Sequence, residues 1–415
     1  MSKLSKLIFR PRQFFADKNK KKTLPAAGKP PSKPPQSKPV SLAGPTLLVP
    51  PASVMSLYRV VLHTGEGKDG LSHIAMWVPH LIESGVPFYV MTRDLELYNL
   101  ACKTFINVHF CYAKGPMEVE RAILMQPTLR AVMYPSNTGN NIHFLRFNHL
   151  THVFLGHGDS DKSGSAHKFF RAYDEVWVAG QAHHDRFVNA GFDISGMEFC
   201  EVGRPGSRPA LRSTSNAARA ADLAKPATVN FLYLPTWEGV YAEQDYSSTA
   251  LANQILTRVA KIGSTVAVKF HPVMGKRAVH LKNLDAKIQS ELGVLGLDAQ
   301  VSVIERMAPL QSAILRANAY ICDISAVVTE CLAGQGPIFV YIPNDRPIIT
   351  SQSKMGYQDF AYTFSSVDEL IEKIALVAAK GDTLKKARAD ALEYLLGAKA
   401  TLEQAFEKNV QRFAK

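Results

Sequence analysis

Ten short runs rich in β-branched and aromatic residues alternate with helix-length segments along this chain, and that alternation narrows the possible folds more than any motif does. The first series comprises Leu57–His63, Val86–Thr92, Arg130–Tyr134, Thr151–Leu155 and Glu175–Ala179. An Ala/Ser-rich stretch at 207–227 interrupts it. The pattern then restarts with Val229–Leu234, Ser264–Phe270, Ala299–Ile304, Ala319–Asp323 and Pro337–Tyr341. Strands separated by helices of ten or more residues are the pattern of βαβ units and parallel sheets. The expectation is an α/β fold of two Rossmann-like lobes with parallel sheets facing a cleft, closed by C-terminal helices. A length of 415 residues suits two such domains. The boundaries read as a tail at 1–45, a first lobe at 46–206, a linker at 207–228, a second lobe at 229–380 and C-terminal helices at 381–415.

Charge separates the tail from the body. Residues 1–40 hold eleven Lys or Arg and one acid, Asp17, so they carry +10 of the net +12 and leave only +2 for the other residues. The folded part therefore lacks the broad positive surface that duplex nucleic acid requires, and no nucleic-acid partner is expected. In the tail, Leu4, Leu7, Ile8, Phe14 and Phe15 are interleaved with Lys3, Lys6, Arg10 and Arg12, a mixture suited to an anionic membrane surface. A Lys/Pro-rich spacer follows at 18–45. A solvated tail without a role is the alternative.

Five scattered cysteines, none in a CxxC pair, fit reduced thiols in cytoplasm. No apolar run approaches the about 20 residues of a membrane span, and no h-region marks a secretion signal. The expected location is cytoplasmic, peripheral on the inner face of the cell membrane.

In open parallel sheets, ligands sit beyond the carboxyl ends of strands. Five such places carry polar residues. The run Val153–Leu155 stops at Gly156-His157-Gly158, whose glycines permit a sharp turn and close approach of a ligand. His157 is then presented as a proton acceptor, with Asp159 and Asp161 to orient it and Lys162 to meet phosphate. In the second series, Val266–Phe270 ends at His271-Pro272, so each lobe has one strand-end histidine. Leu234-Pro235-Thr236-Trp237 offers Thr236 as a phosphate donor group. Ile321-Cys322-Asp323-Ile324-Ser325 leads into a helix whose start suits a diphosphate, with Glu330 further along it for a ribose diol. Asp323 and Ser325 also fit as helix N-caps. Gly203-Arg204-Pro205-Gly206 is either a hinge turn or a phosphate contact through Arg204. His183-His184 reads as surface. There is no P-loop, no GxGxxG after a strand and no metal-ligand spacing, so neither a cofactor nor a metal is expected.

In this order, the motifs resemble those of the CDP-glycerol:poly(glycerophosphate) glycerophosphotransferases, the teichoic-acid and capsule polyol-phosphate transferases. His157-Gly158 is similar to the family's HG turn, Gly203-Arg204-Pro205 to its G-x-P-R turn with Arg and Pro exchanged, and Pro235-Thr236-Trp237 to its APTW segment. His271-Pro272 matches its HP turn. Asp323-Ile324-Ser325-Ala326 resembles its DYSS segment, with Ala326 at the second Ser. The opening Phe14-Phe15-Ala16-Asp17-Lys18 looks like the start of capsule-cluster proteins. The resemblance implies an acceptor-side first lobe, a CDP-donor-side second lobe, His157 and His271 as catalytic pair, and a nucleotide–phosphate site lined by Thr236, Ser325 and Glu330. It implies CDP-glycerol or CDP-ribitol as donor, a lipid-linked glycan as acceptor and CMP as product. A sugar-transferring enzyme of the same fold, and a non-catalytic membrane-associated assembly protein, are the alternatives.

Overall fold

The computed structural model describes residues 45–158, 166–213, 221–239, 241–242, 245–350 and 353–415. The chain divides into two units, Met1–Pro45 and Thr46–Lys415. Nearly all of the first lies outside the described residues, and the architecture below is that of the second.

Two sheets form. The first contains β1 (Leu47–Leu48), β2 (Val60–Thr64), β3 (Phe88–Thr92), β4 (Phe110–Ala113), β5 (Ala131–Tyr134), β6 (Thr151–Phe154), β7 (Glu175–Val178) and β8 (Glu198–Glu201), in the order β1-β4-β3-β2-β5-β6-β7-β8. The second contains β9 (Asn230–Leu234), β10 (Thr265–Lys269), β11 (Val301–Ile304), β12 (Ala319–Asp323), β13 (Ile338–Tyr341) and β14 (Tyr362–Phe364), in the order β11-β10-β9-β12-β13-β14. Every pairing is parallel except β1 against β4. All ten expected runs form strands. The central ones are buried on both faces, which is why they read as continuous apolar runs. The expectation of two parallel-sheet lobes holds.

Helices cover the sheet faces. The helix Leu71–Ser84 buries Ile74, Trp77, Val78 and Leu81, spaced along one side, and ends at Gly85 in left-handed backbone. After the first sheet, the chain crosses at 205–212. The start of the expected linker is not free chain: Arg208–Arg212 is helical and buries Arg208 and Ala210. The C-terminal stretch then returns. The helix Val367–Lys380 packs on the second core through Val367, Leu370, Ile374 and Val377. The helix Lys385–Leu396 shares a core with Ala182 and Ala210. The helix Ala405–Gln411 joins the first-sheet core, where Phe406 lies 4.9 Å from the Trp77 ring and 5.5 Å from that of Trp177.

This return requires close backbone approach. Gly203 has φ +72° and leaves no room for a Cβ beside Thr401, whose Oγ1 accepts from the Arg204 amide at 2.7 Å. Arg208 completes the junction. Its guanidinium meets Glu83 at 2.8 Å, Glu407 at 2.6 Å and the Thr401 carbonyl at 3.0 Å. Burial works against ionised Glu407, but hydrogen bonds from His80 and Arg208 outweigh it and hold the carboxyl at about 2.

Arg208→Met therefore leaves Glu407 buried without its guanidinium and should cost about 3–5 kcal/mol of stability in denaturant titration. Because the folded pKa of Glu407 is depressed from 4.5 to about 2, its contribution is present above pH 4.5 and is lost as pH falls toward 2. Acid melts of wild type and variant should converge in that window.

Candidate active site

Strand-end loops from both sheets meet on one cleft. From the first sheet, β6 ends in Gly156-His157-Gly158. Gly156 adopts φ +67°, and its carbonyl accepts from Trp77 Nε1 at 2.7 Å, which anchors the turn. Gly158 lies against the second lobe: a Cβ there would stand 2.7 Å from the Ala326 Cβ. His157 and the segment Ser325-Ala326 are thus neighbours. Asp159, Asp161 and Lys162 lie outside the described residues.

The His157 ring has a defined proton arrangement. Its Nδ1 is 3.0 Å from the Pro135 carbonyl, which only accepts, so Nδ1 carries the proton and Nε2 carries the lone pair. The ring is exposed by area yet surrounded by protein, as a group at the floor of a cleft is. Desolvation and the nearby His73 lower its pKa, against the Pro135 hydrogen bond and Glu66, and Arg204 lowers it further, to about 4. The imidazole is therefore neutral at physiological pH.

A second imidazole accompanies it. His73 stacks on His157 with ring centroids 3.9 Å apart and planes 12° from parallel. His73 Nδ1 meets Glu66 Oε2 at 2.8 Å, and Thr64 Oγ1 donates to the same oxygen at 3.0 Å. Burial alone would raise the Glu66 pKa, but His73 and the charge of His157 bring it down to about 2. The sequence reading passed over both residues. The signal was present: Thr64-Gly65-Glu66-Gly67-Lys68-Asp69-Gly70 is a glycine-rich, charged loop directly after a buried strand.

From the second sheet, β10 leads through the fully buried Phe270 to His271. The Val273 amide donates to His271 Nδ1 at 3.3 Å, so the neutral ring carries its proton on Nε2. The two strand-end histidines therefore hold opposite tautomers. Trp237 stacks beside His271, with centroids 6.1 Å apart. The loop after His271 is clasped from both sides. The buried Glu238 carboxylate accepts from the amides of Gly275, Arg277 and Ala278, at 3.1, 2.7 and 2.9 Å. Arg306 reaches the Met274 carbonyl at 2.9 Å and forms a two-point pair with Asp285. Lys276 in this loop pairs with Asp69 at 3.0 Å, which ties it to the loop that carries Glu66.

Thr236 and Asp323 come together. Asp323 has no exposed surface, and its Oδ2 accepts from the Thr236 and Ser248 amides at 2.7 and 3.0 Å. It braces the loops beneath the strand ends. Ser325 precedes the helix Ala326–Cys331 in extended backbone. Its hydroxyl turns back to the Asp323 carbonyl at 3.2 Å instead of capping the helix. Glu330 is buried. Arg204 Nε lies 3.6 Å from its Oε1, and Ser207 and Gln311 donate to its Oε2. The hinge turn and the helix of the second lobe are thus linked through Arg204 and Glu330. His183, expected at the surface, is buried against Phe187, because its helix packs that face inward.

Two groups of potential metal ligands occur among the described residues, His80-Glu83-Glu407 and Glu175-Glu198-Cys200. Arg208 already donates to both carboxylates of the first, and Trp177 and Arg412 donate to Glu175 in the second. Neither lies at the strand ends that form the cleft. No described helix is long and apolar enough to cross a membrane.

No protein-family model matches the sequence, and no curated protein does. Solved structures do match. The wall teichoic acid polymerase TagF, as its H444N variant, superposes with a TM-score of 0.55 at 10% identity, covering 87% of this chain and 91% of that one. The chain has the fold of TagF. It is also similar to Anabaena Alr3699/HepE in complex with UDP and glucose, with a TM-score of 0.51 at 10% identity over 85% of this chain and 99% of that one. The two-lobed GT-B architecture is common to these proteins. The likeness to the polyol-phosphate transferases, carried in the sequence by short motifs, extends to the fold.

Glu238→Ala removes the acceptor of three loop amides. It should cost the 273–278 loop about 1–3 kcal/mol of protection, read as roughly ten- to hundredfold faster amide exchange at Gly275, Arg277 and Ala278.

Proposed function

We propose that this protein transfers glycerol phosphate, or another polyol phosphate, from a CDP-activated donor to a membrane-linked glycan acceptor in capsule or teichoic-acid-like polymer synthesis, releasing CMP. The observation that carries the reading is the pair of strand-end histidines in opposite tautomers, one per lobe, on loops joined by Asp69 and Lys276. The acceptor hydroxyl gives its proton to His157 Nε2 as its oxygen bonds to the donor's β-phosphorus. The bond from that phosphorus to CMP breaks, and CMP departs with the electron pair. His271 donates from Nε2 to a phosphate oxygen on which charge develops. Thr236 and Ser325 hold the diphosphate, and Asp323 positions Thr236. Arg204 and Glu330 act together: Arg204 turns to phosphate while Ser207 and Gln311 keep Glu330 hydrogen-bonded for the ribose. Gly158, Asp159, Asp161 and Lys162 form the acceptor side of the turn. The basic, apolar tail at 1–45 holds the enzyme on the anionic inner face of the cell membrane. A TagF H444N structure soaked with CDPG, of the same fold at 9% identity and a TM-score of 0.54, agrees with a CDP-linked donor.

The second reading, a sugar transferase using a nucleotide sugar, is favoured by the fold shared with the HepE complex holding UDP and glucose. Purified protein should release CMP from CDP-glycerol or CDP-ribitol only when a lipid-linked glycan is present. His157→Ala should lower that rate by about 10²–10⁴ and His271→Ala by about 10²–10³, with the fold retained. Turnover of nucleotide sugars with no use of CDP-polyols selects the second reading. Near-normal rates in both variants end the mechanism.

A further inference from the structure

We infer that His73 and Glu66 are positioning residues for the general base His157, His73 holding its ring and Glu66 compensating its charge, an inference that rests on the transfer proposed above. The geometry is specific. A base usually gains its orientation from a carboxylate on its second nitrogen; here that nitrogen meets the neutral Pro135 carbonyl, at 3.0 Å. Among the described residues, the carboxylate that bears on His157 is Glu66, one ring removed. It binds His73 Nδ1 at 2.8 Å, and His73 lies flat on His157 at 3.9 Å. Thr64 fixes the same carboxylate oxygen and also accepts from the Glu66 amide at 3.2 Å, so the pair is built into the loop that leaves β2.

This arrangement answers an electrostatic demand. During transfer, the acceptor oxygen bonds to phosphorus, the phosphorus–CMP bond breaks, and the hydroxyl proton moves to His157 Nε2. The new imidazolium faces His73 and Arg204, both unfavourable to it, and Glu66, which favours it. Lys276 is compensated by Asp69, and Arg204 by Glu330. Among the described residues, Glu66 therefore supplies the negative charge beside His157, and His73 sets its distance and clamps the ring.

The test uses the full chain and two independent readings. The first is histidine Cε1–H titration by NMR without substrate, with His157→Ala assigning the resonance. H73N should raise the His157 pKa by removing a competing imidazole. E66Q should push it below the range in which the protein stays folded. The second is steady-state CMP release. E66Q should lower kcat about ten- to hundredfold with KM for CDP-glycerol changed less than about twofold, and E66D should restore most of the rate. H73Q serves as a second variant if H73N fails to fold by near-UV circular dichroism. An E66Q protein with wild-type kcat, or a His157 titration that neither variant moves, overturns the inference. If wild type uses no CDP-polyol while the titrations shift as stated, the proposed function fails and the coupling of the three residues stands.

Discussion

One guanidinium joins the three segments on which the cleft depends. Arg208 stands where the chain leaves the first sheet. It grips Glu83 at the end of the first lobe's long helix and Glu407 on the returning C-terminal helix. Around it, Gly203 lets Thr401 pack against the hinge backbone, and the Arg204 amide bonds to Thr401. Loops at the carboxyl ends of two separate sheets make a useful site only if the sheets keep a fixed relation. Buried ionic junctions contribute little net stability, but they are geometrically demanding, and removing one partner leaves a charge that nothing solvates. The next residue along, Arg204, already belongs to the site through Glu330. Lobe placement and site chemistry are therefore adjacent in the chain.

The cleft is asymmetric in proton inventory. The first lobe offers an acceptor nitrogen on His157, backed by an ionised Glu66. The second offers a donor nitrogen on His271, beside amides and hydroxyls fixed by Asp323 and Glu238. Each tautomer follows from one backbone group: a carbonyl on the first ring, an amide on the second. The backbone at the ends of β5 and β10 thus sets which nitrogen of each ring accepts and which donates. The low His157 pKa keeps the lone pair available across the physiological range.

Much of this was legible in the sequence. Ten strands were readable because buried parallel strands are uninterrupted apolar runs. Four were missed: β1 has two residues and β14 three, β8 sets two half-buried residues between glutamates at the sheet edge, and β4 is a four-residue run next to the two-residue β1. His157 and His271 could be found because each ends such a run beside glycine or proline. Glu66 follows such a run two residues after its end and His73 lies in the next helix, and neither was singled out. Their meaning lies in a contact with His157, 84 positions from His73. Asp323 and Glu330 were singled out from their place at and after the end of a strand, yet their burial could not be read from spacing. A carboxylate that meets a ligand and one that accepts backbone amides look alike in one dimension.

Two of the loop contacts between the lobes, Gly158 against Ala326 and Asp69 against Lys276, differ in kind. The first is van der Waals packing with no space for a side chain on Gly158. The second is an exposed ion pair, worth at most about 1 kcal/mol and sensitive to salt. The transfer proposed above requires a cleft that admits a donor and then excludes water, since water competes with the acceptor hydroxyl for the same phosphorus. Of the two, the exposed pair is the one that costs little to part. The tight contact lies next to His157, where the transfer proposed above would lose far more from a displacement of about 1 Å than a surface ion pair returns.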